Sequence, residues 1–230
     1  MNNLFKDYKH NKDFLDLIHY KIGYKLHKFI SNKNHSNIIV QGVSNSGKTL
    51  LVKTIINDIF DINKYTNIEL LCDNIYYEKS HIHYYFDVKK VNNNLKFIDF
   101  IKQIVESYNH FINECNYIIL DNFENISTAN QNKLRVIFEK SIYTTKTIII
   151  TNKFNKIIEP LKSRFINFRI PNHNLADKYI YFKNLLLKNN LIINDFILNE
   201  ILKKHDNLNY NFINILSYLK LGIINNDIYD

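Results

Sequence analysis

The residues best suited to chemistry form one short stretch, Gly42-Val43-Ser44-Asn45-Ser46-Gly47-Lys48-Thr49. This stretch fits the pattern G-x-x-x-x-G-K-[ST] without insertion, and the pattern is typical of a loop that cradles nucleotide phosphates. Gly42 and Gly47 are expected to adopt backbone angles that a side chain would forbid, so that successive N–H groups turn toward one anion. We therefore expect ATP binding by the whole loop, with Lys48 reaching the β- and γ-phosphates and the Thr49 hydroxyl holding Mg²⁺.

The elements on either side of this loop have the order that the motif requires. Residues 37–40 are a short apolar run with β-branched side chains, which is typical of a buried parallel strand. After the loop, apolar residues recur at helical spacing: Leu50, Leu51, Thr54, Ile55 and Ile59. Two of the four glycines in the chain lie in this loop, so the match is hard to attribute to chance.

Length and composition describe a globular, basic chain. With 230 residues, of which 46% are hydrophobic, it can form one large domain or one domain and a small one. Cys72 and Cys115 lack metal-ligand spacing, and no segment predicts a leader or a membrane span, so we expect a soluble intracellular protein. The net charge of +8 suits a polyanionic partner, but the abundance of Lys, Asn and Ile is also what an A/T-rich coding sequence produces.

Two later strands end in polar residues that could complete a site. Residues 116–121 form an apolar run that ends in Asp121, the expected form of a Walker B strand whose carboxylate meets Mg²⁺ through its water shell. Residues 147–152 form another such run, which ends in Asn152. Further strands are predicted at 68–71 and 83–88, and helices alternate with them. This alternation predicts a parallel α/β sheet with its site at the carboxyl ends of the strands.

Helical patterns fill the remainder. Residues 1–36 are a predicted helical lead-in, residues 97–108 an amphipathic helix, and Thr128 to Gln131 a capping box that starts another helix. After Pro171 only helical patterns recur, and Gly222 is a candidate C-cap. His81, His83 and His110 lack partners at ligand spacing and are interpreted as scattered surface histidines. The apolar faces that predict the lead-in helix and the three helices after Pro171 consist of Phe14, Leu17, Ile18, Ile22, Leu26 and Phe29, then Leu175, Tyr179, Phe182, Leu185 and Leu186, then Phe196, Ile197 and Ile201, then Phe212, Ile213, Leu216 and Leu219.

This order of parts resembles the AAA+ ATPases, and most closely the small subunits of sliding-clamp loaders, the replication factor C family, including divergent or viral-type members. The resemblance is carried by residues 119–135, 138–140, 150–153 and 156–165. It implies a P-loop AAA+ domain with a central parallel sheet over residues 1–171 and a small all-α lid over 172–230, without the helical collar of the family. It also implies a Walker B role for Asp121, a sensor role for Asn152 and, from Ser163-Arg164, an arginine finger at Arg164 that acts on a neighbouring subunit's ATP.

Two departures from the family bear on catalysis. The glutamate that polarises the attacking water in the family is replaced by Asn122, whose amide cannot accept a proton. Glu124 matches a later acid of the same motif, and whether it substitutes is open. The sensor 2 arginine of the lid is also missing, since Tyr210 and Asn211 lie near its position. Whether the chain hydrolyses ATP itself is therefore an open question.

The leading hypothesis is an ATP·Mg²⁺-binding clamp-loader subunit in DNA replication. Its implied catalytic residues are Lys48, Asp121, Glu124, Asn152 and Arg164, and its implied metal ligands are Thr49 and Asp121. The implied partners are other clamp-loader subunits, the sliding clamp and primer-template DNA, in a nucleus or a viral replication compartment. The alternatives are a self-contained P-loop phosphotransferase with a helical substrate lid, and another AAA+ protein such as a helicase loader.

Overall fold

The computed structural model describes residues 17–32, 34–60, 68–72, 75–107, 116–188, 191–204 and 208–220. The strands are β1 Ile38–Gly42, β2 Ile68–Cys72, β3 Ile75–Lys79, β4 His83–Asp87, β5 Asn116–Asp121, β6 Thr145–Thr151 and β7 Ile166–Ile170. These seven strands form one sheet in the order β2-β3-β4-β5-β6-β1-β7. The five predicted strands are all present, within two residues at each end.

Two of the strands were not predicted. The first, β3, pairs antiparallel with both β2 and β4, so one edge of the sheet is a short antiparallel extension. The other, β7, pairs parallel with β1 at the opposite edge. Between them β4, β5, β6 and β1 run parallel, which confirms the expected α/β class with a central parallel sheet.

The central strands are apolar throughout because both faces of the sheet are covered. On β5, Ile118 and Leu120 point into one core, while Tyr117 and Ile119 point into the other. Helices α1 Tyr20–Ile30 and α2 Lys48–Phe60 cover the second face. Helices α3 Asn94–Glu106 and α4 Thr128–Lys140 cover the first. The sheet therefore holds the carboxyl ends of its parallel strands rigidly between two helical layers.

The capping box predicted at Thr128 was placed one residue too late. Ser127 is the N-cap of α4, and its hydroxyl accepts a hydrogen bond from the backbone N–H of Asn130. Gln131 does not return to the cap. Its buried amide nitrogen Nε2 instead donates to the carbonyl oxygens of Ile126 and Lys156, each at 2.9 Å, and so joins α4 to the segment after β6.

Where it is described, the chain after β7 is helical, as predicted. A four-residue helix, α5 Glu159–Lys162, precedes β7. Helices α6 Leu175–Lys188, α7 Asp195–Lys204 and α8 Leu208–Lys220 follow β7 and surround a third apolar cluster. The predicted inner face of α7 was wrong at Phe196, which is 73% exposed, and Leu198 is buried in its place. None of the helices described here combines the length and apolar character that crossing a bilayer requires.

Several sequence predictions lie outside the described residues. They concern residues 1–16 of the lead-in with Phe14, the end of the third helical pattern at Tyr108, the residues His110 and Cys115, and the candidate C-cap Gly222. In the described part of the lead-in the helix is α1, where Leu26 and Ile30 are buried. The prediction of a surface histidine was wrong for His83, which lies at the start of β4 and is only 2% exposed. Its Nδ1 is 2.6 Å from the Ser80 hydroxyl.

Candidate functional site

The glycine-rich loop connects β1 to α2, and its two glycines serve different purposes. Gly47 has φ +84°, a left-handed conformation that a side chain would strain, as the motif predicts. Gly42 does not have a positive φ, which corrects the expectation that both glycines supply unusual backbone angles. A Cβ atom at Gly42 would lie 2.7 Å from the carbonyl oxygen of Ile170 on β7. Gly42 is therefore required by close strand packing.

Lys48, at the start of α2, turns its side chain back into the loop. Its Nζ donates to the carbonyl oxygens of Gly42, at 3.1 Å, and Val43, and lies 3.3 Å from the Ser46 hydroxyl. The residue is only 5% exposed. Burial lowers the pKa of this ammonium, and the carboxylates of Asp121 and Glu124 oppose that shift. The loop thus concentrates a positive charge where its backbone turns.

Asp121, at the end of β5, is held against the loop. Its Oδ2 accepts hydrogen bonds from the Thr49 hydroxyl at 2.7 Å and from the Tyr85 hydroxyl at 2.9 Å. Burial, together with the adjacent carboxylate of Asp121, raises the pKa of Tyr85, so this phenol stays protonated and donates. The two residues predicted to hold a metal are therefore in direct contact, on neighbouring elements.

Asn122 follows Asp121 in a left-handed conformation, with φ 57° and ψ 38°, which asparagine tolerates better than most residues. Its Nδ2 donates to Oδ1 of Asp87 at 2.9 Å, and its Oδ1 accepts from Nδ2 of Asn152 at 3.3 Å. Because one group donates and the other accepts, both functions of an amide are used. Asn122 therefore links the ends of β4, β5 and β6.

Glu124 lies behind this link and is saturated with donors. Its carboxylate accepts from the Thr151 hydroxyl at 2.9 Å, the Asn152 backbone N–H at 3.2 Å and the Asn152 Nδ2 at 2.9 Å. Burial alone would raise the pKa of Glu124, but the hydrogen bonds from Asn152 and Thr151 outweigh it and hold the pKa below its usual range. Glu124 is thus an ionised anchor for Asn152.

The glycine-rich loop and the polar strand ends border one cavity of about 390 Å³ above the carboxyl edge of the sheet. One wall is the loop from Ser44 to Leu50. The opposite wall carries Lys89, Asp121, Asn122 and Asn152. Glu124 does not line this cavity. It instead borders an open groove formed with α4 and the segment around Lys156.

A second, largely apolar cavity of about 130 Å³ adjoins the same loop. Asn45, Ser46 and Gly47 line both cavities, and the second is also bordered by residues of the lead-in and of the C-terminal helices, including Leu17, Phe182 and Leu208. His19 lies at its edge, where its Nε2 donates to the Ser46 carbonyl at 3.1 Å and its ring stacks on His173 at 4.2 Å. Burial and the neighbouring His173 lower the pKa of His19 to about 4.

Arg164 lies apart from both cavities. Its Nε donates to Oε1 of Glu139 on α4 at 2.6 Å, and its Nη1 donates to the Pro160 carbonyl at 3.0 Å. The side chain is 48% exposed, so this ion pair is on the surface and is not buried in the core. The structure thus brings Lys48, Thr49, Asp121 and Asn152 together, and leaves Arg164 outside the group.

The donor set of the larger cavity fits the phosphates of a nucleotide with Mg²⁺. The loop N–H groups at the start of α2 and the Lys48 ammonium suit phosphate oxygens. The Thr49 hydroxyl and the Asp121 carboxylate are hard oxygen ligands of the kind that Mg²⁺ prefers. The adjoining apolar cavity suits a flat ring system. The two cavities meet at Asn45 to Gly47, so one ligand could occupy both.

Four residues of the site were not predicted from the sequence. Tyr85 and Asp87 lie on β4, and Lys89 follows it in a 3-10 turn, Val88–Lys90. The sequence signal for them was Asp87, a polar residue at the end of β4, but using it requires knowing that β4 lies beside the Walker B strand. His19 had no comparable signal, because its role depends on α1 packing behind the loop.

Comparisons with known proteins give a family and several relatives for this chain. The family model described as "ATPase family associated with various cellular activities (AAA)" matches residues 38–172. A replication factor C small subunit of Acanthamoeba polyphaga mimivirus is 29% identical over 204 residues, which are 77% of this chain and 53% of that protein. A replication factor C small subunit of Sulfolobus acidocaldarius is 26% identical over 149 residues, which are 63% of this chain and 40% of that protein. The chain thus spans about half the length of these curated relatives.

Solved structures share the fold at low sequence identity. Domain III of the Thermotoga maritima replication initiation protein DnaA has a TM-score of 0.62 at 15% identity, over 92% of this chain and 90% of that one. The Thermotoga maritima RuvB Holliday junction branch migration motor has a TM-score of 0.58 at 15% identity, over 84% of this chain and 59% of that one. Because the family model matches more than half of the residues, the chain belongs to the AAA family of ATPases.

Proposed function

We propose that the protein is an ATP-binding subunit of a sliding-clamp loader, related to the small subunits of replication factor C. The observation that carries this proposal is the contact of Thr49 with Asp121 beside the Lys48 loop, in a chain whose relatives bear that name. In this role Lys48 neutralises phosphate charge, while Thr49 and Asp121 hold Mg²⁺. The bound Mg²⁺ would draw charge from the terminal phosphates as a Lewis acid.

Hydrolysis by the chain itself is weak in this proposal. Asn122 cannot accept a proton, and Glu124 accepts three hydrogen bonds from Thr151 and Asn152. A carboxylate held in this way positions Asn152 at the cavity wall instead of activating water. The protein would then hold ATP as a structural signal within an assembly.

The assembly role uses Arg164. It is half-exposed and paired only with surface groups, so it is available to a neighbouring subunit, where it would stabilise charge on the transferred phosphoryl group. The proposed partners are other clamp-loader subunits, the sliding clamp and primer-template DNA, to which the net charge of +8 is suited. Family membership favours this role over the self-contained phosphotransferase, whose chemistry needs no partner.

The proposal is tested by binding and single-turnover measurements on the purified chain. Mg·ATP should bind to the wild type and not measurably to Lys48→Ala, while single-turnover hydrolysis by the wild type alone stays near background. Co-expression with the other clamp-loader subunits should then give a complex that binds the clamp in the presence of ATP. Absence of ATP binding, or transfer of phosphate to a small acceptor by the monomer, would reject it.

A further inference from the structure

Lys89 is the second cation of the phosphate cavity, and the loop motif does not include it. It lies in the 3-10 turn Val88–Lys90 after β4, and it borders the cavity from the wall that faces the loop. Lys48 and Lys89 are the two basic residues among the described residues that line this cavity. Lys48 bonds to its own loop, whereas within the described chain no side-chain or backbone acceptor pairs with the Lys89 ammonium.

The turn that carries Lys89 is fixed to the site. Oδ1 of Asp87 accepts from the Lys89 backbone N–H at 3.1 Å and also from Nδ2 of Asn122 at 2.9 Å. Asp87 and Asp121 are paired residues in the register of β4 and β5. The backbone of Lys89 is therefore held relative to Asp121 and Asn122, while its side chain is exposed and can extend into the cavity.

The two cavities give the bound nucleotide a direction. An apolar base fits the cavity bordered by Leu17 and Phe182, behind Asn45 to Gly47. A polyphosphate that leaves it along the loop ends at the opposite wall, beside Asp121, Asn152 and Lys89. At that end the proposed Mg²⁺ and Lys48 offset part of the charge of a triphosphate, while Asn152 is neutral. Lys89 is the further cation on that wall, where it can stabilise the terminal phosphate.

We propose that Lys89 binds the terminal phosphate of the nucleotide and makes the site selective for a triphosphate over a diphosphate. This inference rests on the proposed nucleotide-binding function. Lys89 acts on the phosphate that a diphosphate lacks, so its contribution is present with ATP and absent with ADP. Tyr210 and Asn211, near the position that the resemblance assigns to the sensor 2 arginine, carry no positive charge. Lys89, after β4, supplies a positive charge at the phosphate end instead.

The experiment measures the dissociation constants of Mg·ATP and Mg·ADP by calorimetry for the wild type, Lys89→Ala, Lys89→Arg and Lys90→Ala. Loss of one charge-assisted bond to phosphate is expected to weaken ATP binding by Lys89→Ala about tenfold, with ADP binding unchanged. Lys89→Arg should keep most of the preference for ATP. Lys90→Ala, an equally exposed charge change on the next residue, should bind both nucleotides as the wild type does.

The outcomes separate this inference from the proposed function. If the wild type binds ATP but Lys89→Ala weakens ATP and ADP equally, or weakens neither, the role of Lys89 is rejected and nucleotide binding stands. If Lys90→Ala causes the same loss as Lys89→Ala, the effect is a general one of net charge and the inference is also rejected. If the wild type binds neither nucleotide, the proposed function itself fails.

Discussion

The amide of Asn122 donates to the Asp87 carboxylate across 2.9 Å, at the adjoining ends of two parallel strands. The same amide accepts from Asn152. This relationship gives a physical reason for an amide at the position where the family resemblance implies a glutamate. A carboxylate at position 122 would face another carboxylate at Asp87, and neither could donate to the other.

The first prediction concerns Asn122→Glu. We expect the single substitution to lower the free energy of unfolding by about 1–3 kcal/mol, because it loses the bond to Asp87 and creates a like-charge pair. Adding Asp87→Asn supplies a donor to the new carboxylate, so the double variant should be more stable than the sum of the single effects predicts. Urea unfolding of the two single variants and the double variant measures this coupling.

The same variants test hydrolysis. Single-turnover hydrolysis of ATP should rise in the double variant, where the introduced carboxylate is not repelled from its place, and stay near background in Asn122→Glu alone. A single variant that is as stable as the wild type and hydrolyses ATP would show that Asp87 places no constraint on position 122.

The second prediction concerns Glu124→Gln. Its amide would present a donor to groups that are themselves donors, Thr151 and Asn152, so we expect a loss of about 1–3 kcal/mol in the free energy of unfolding. ATP binding should weaken as well, because Asn152 loses its anchor. Thermal and urea unfolding measure the first effect, and calorimetry measures the second.

Glu159→Gln is the matched control for that substitution. Glu159 is exposed on α5 and pairs with Lys162 at the surface, so its change should cost no more than about 0.5 kcal/mol. A Glu124→Gln variant with unchanged stability and abolished hydrolysis would instead assign Glu124 as the general base.

The third prediction is a loss of stability in mild acid from two buried histidines, His19 and His83. Each has its pKa lowered to about 4, chiefly by burial, with His173 adding to the shift at His19 and Lys53 at His83. An unfolded histidine titrates near pH 6.5, so between about pH 6.5 and 4 the unfolded chain binds more protons. The free energy of unfolding should therefore fall as pH is lowered through this window, by up to about 1.4 kcal/mol per pH unit for each histidine.

Urea unfolding at a series of pH values from 5 to 7.5 measures this slope. His83→Gln should flatten it by removing one of the buried histidines whose pKa is lowered, while His19, His35 and His173 remain. His81→Gln, two residues away and exposed, should change the slope much less. Near pH 7.5 the slopes of all three proteins should converge, because an unfolded histidine is by then largely neutral, as the folded one is. An identical slope in His83→Gln and the wild type below pH 6.5 would contradict the assignment.

Much of the fold follows from local sequence patterns. The runs that end at Val40, Asp121 and Asn152 are apolar because both faces of each strand are buried, and such runs identify central parallel strands. The two strands that were not predicted gave weaker signals. Only Ile170 is buried in β7 and only Ile75 in β3, so neither has the burial pattern of a central strand or of an alternating one.

The candidate site was predictable where a residue acts through its own motif. Lys48 and Thr49 follow from the loop pattern, and Asp121 follows from its place at a strand end. Lys89 and Asp87 were not predictable, because their proximity to Asn122 depends on which strand lies beside β5 in the sheet. Strand order is a property of the tertiary fold, and no spacing along the chain encodes it directly.

The last prediction concerns Arg164→Ala. The ion pair with Glu139 is half-exposed, so its loss should change the free energy of unfolding by no more than about 1 kcal/mol. Because Arg164 lies outside both cavities, ATP binding by the isolated chain should be unchanged.

In an assembled complex, however, removal of the arginine finger from a neighbouring subunit's site should lower ATP hydrolysis there by about 10³-fold or more. Glu139→Ala is the matched control, since it breaks the same ion pair and keeps the guanidinium. If both variants lower hydrolysis in the complex equally, the complex depends on the ion pair, and the role of Arg164 as an arginine finger is rejected.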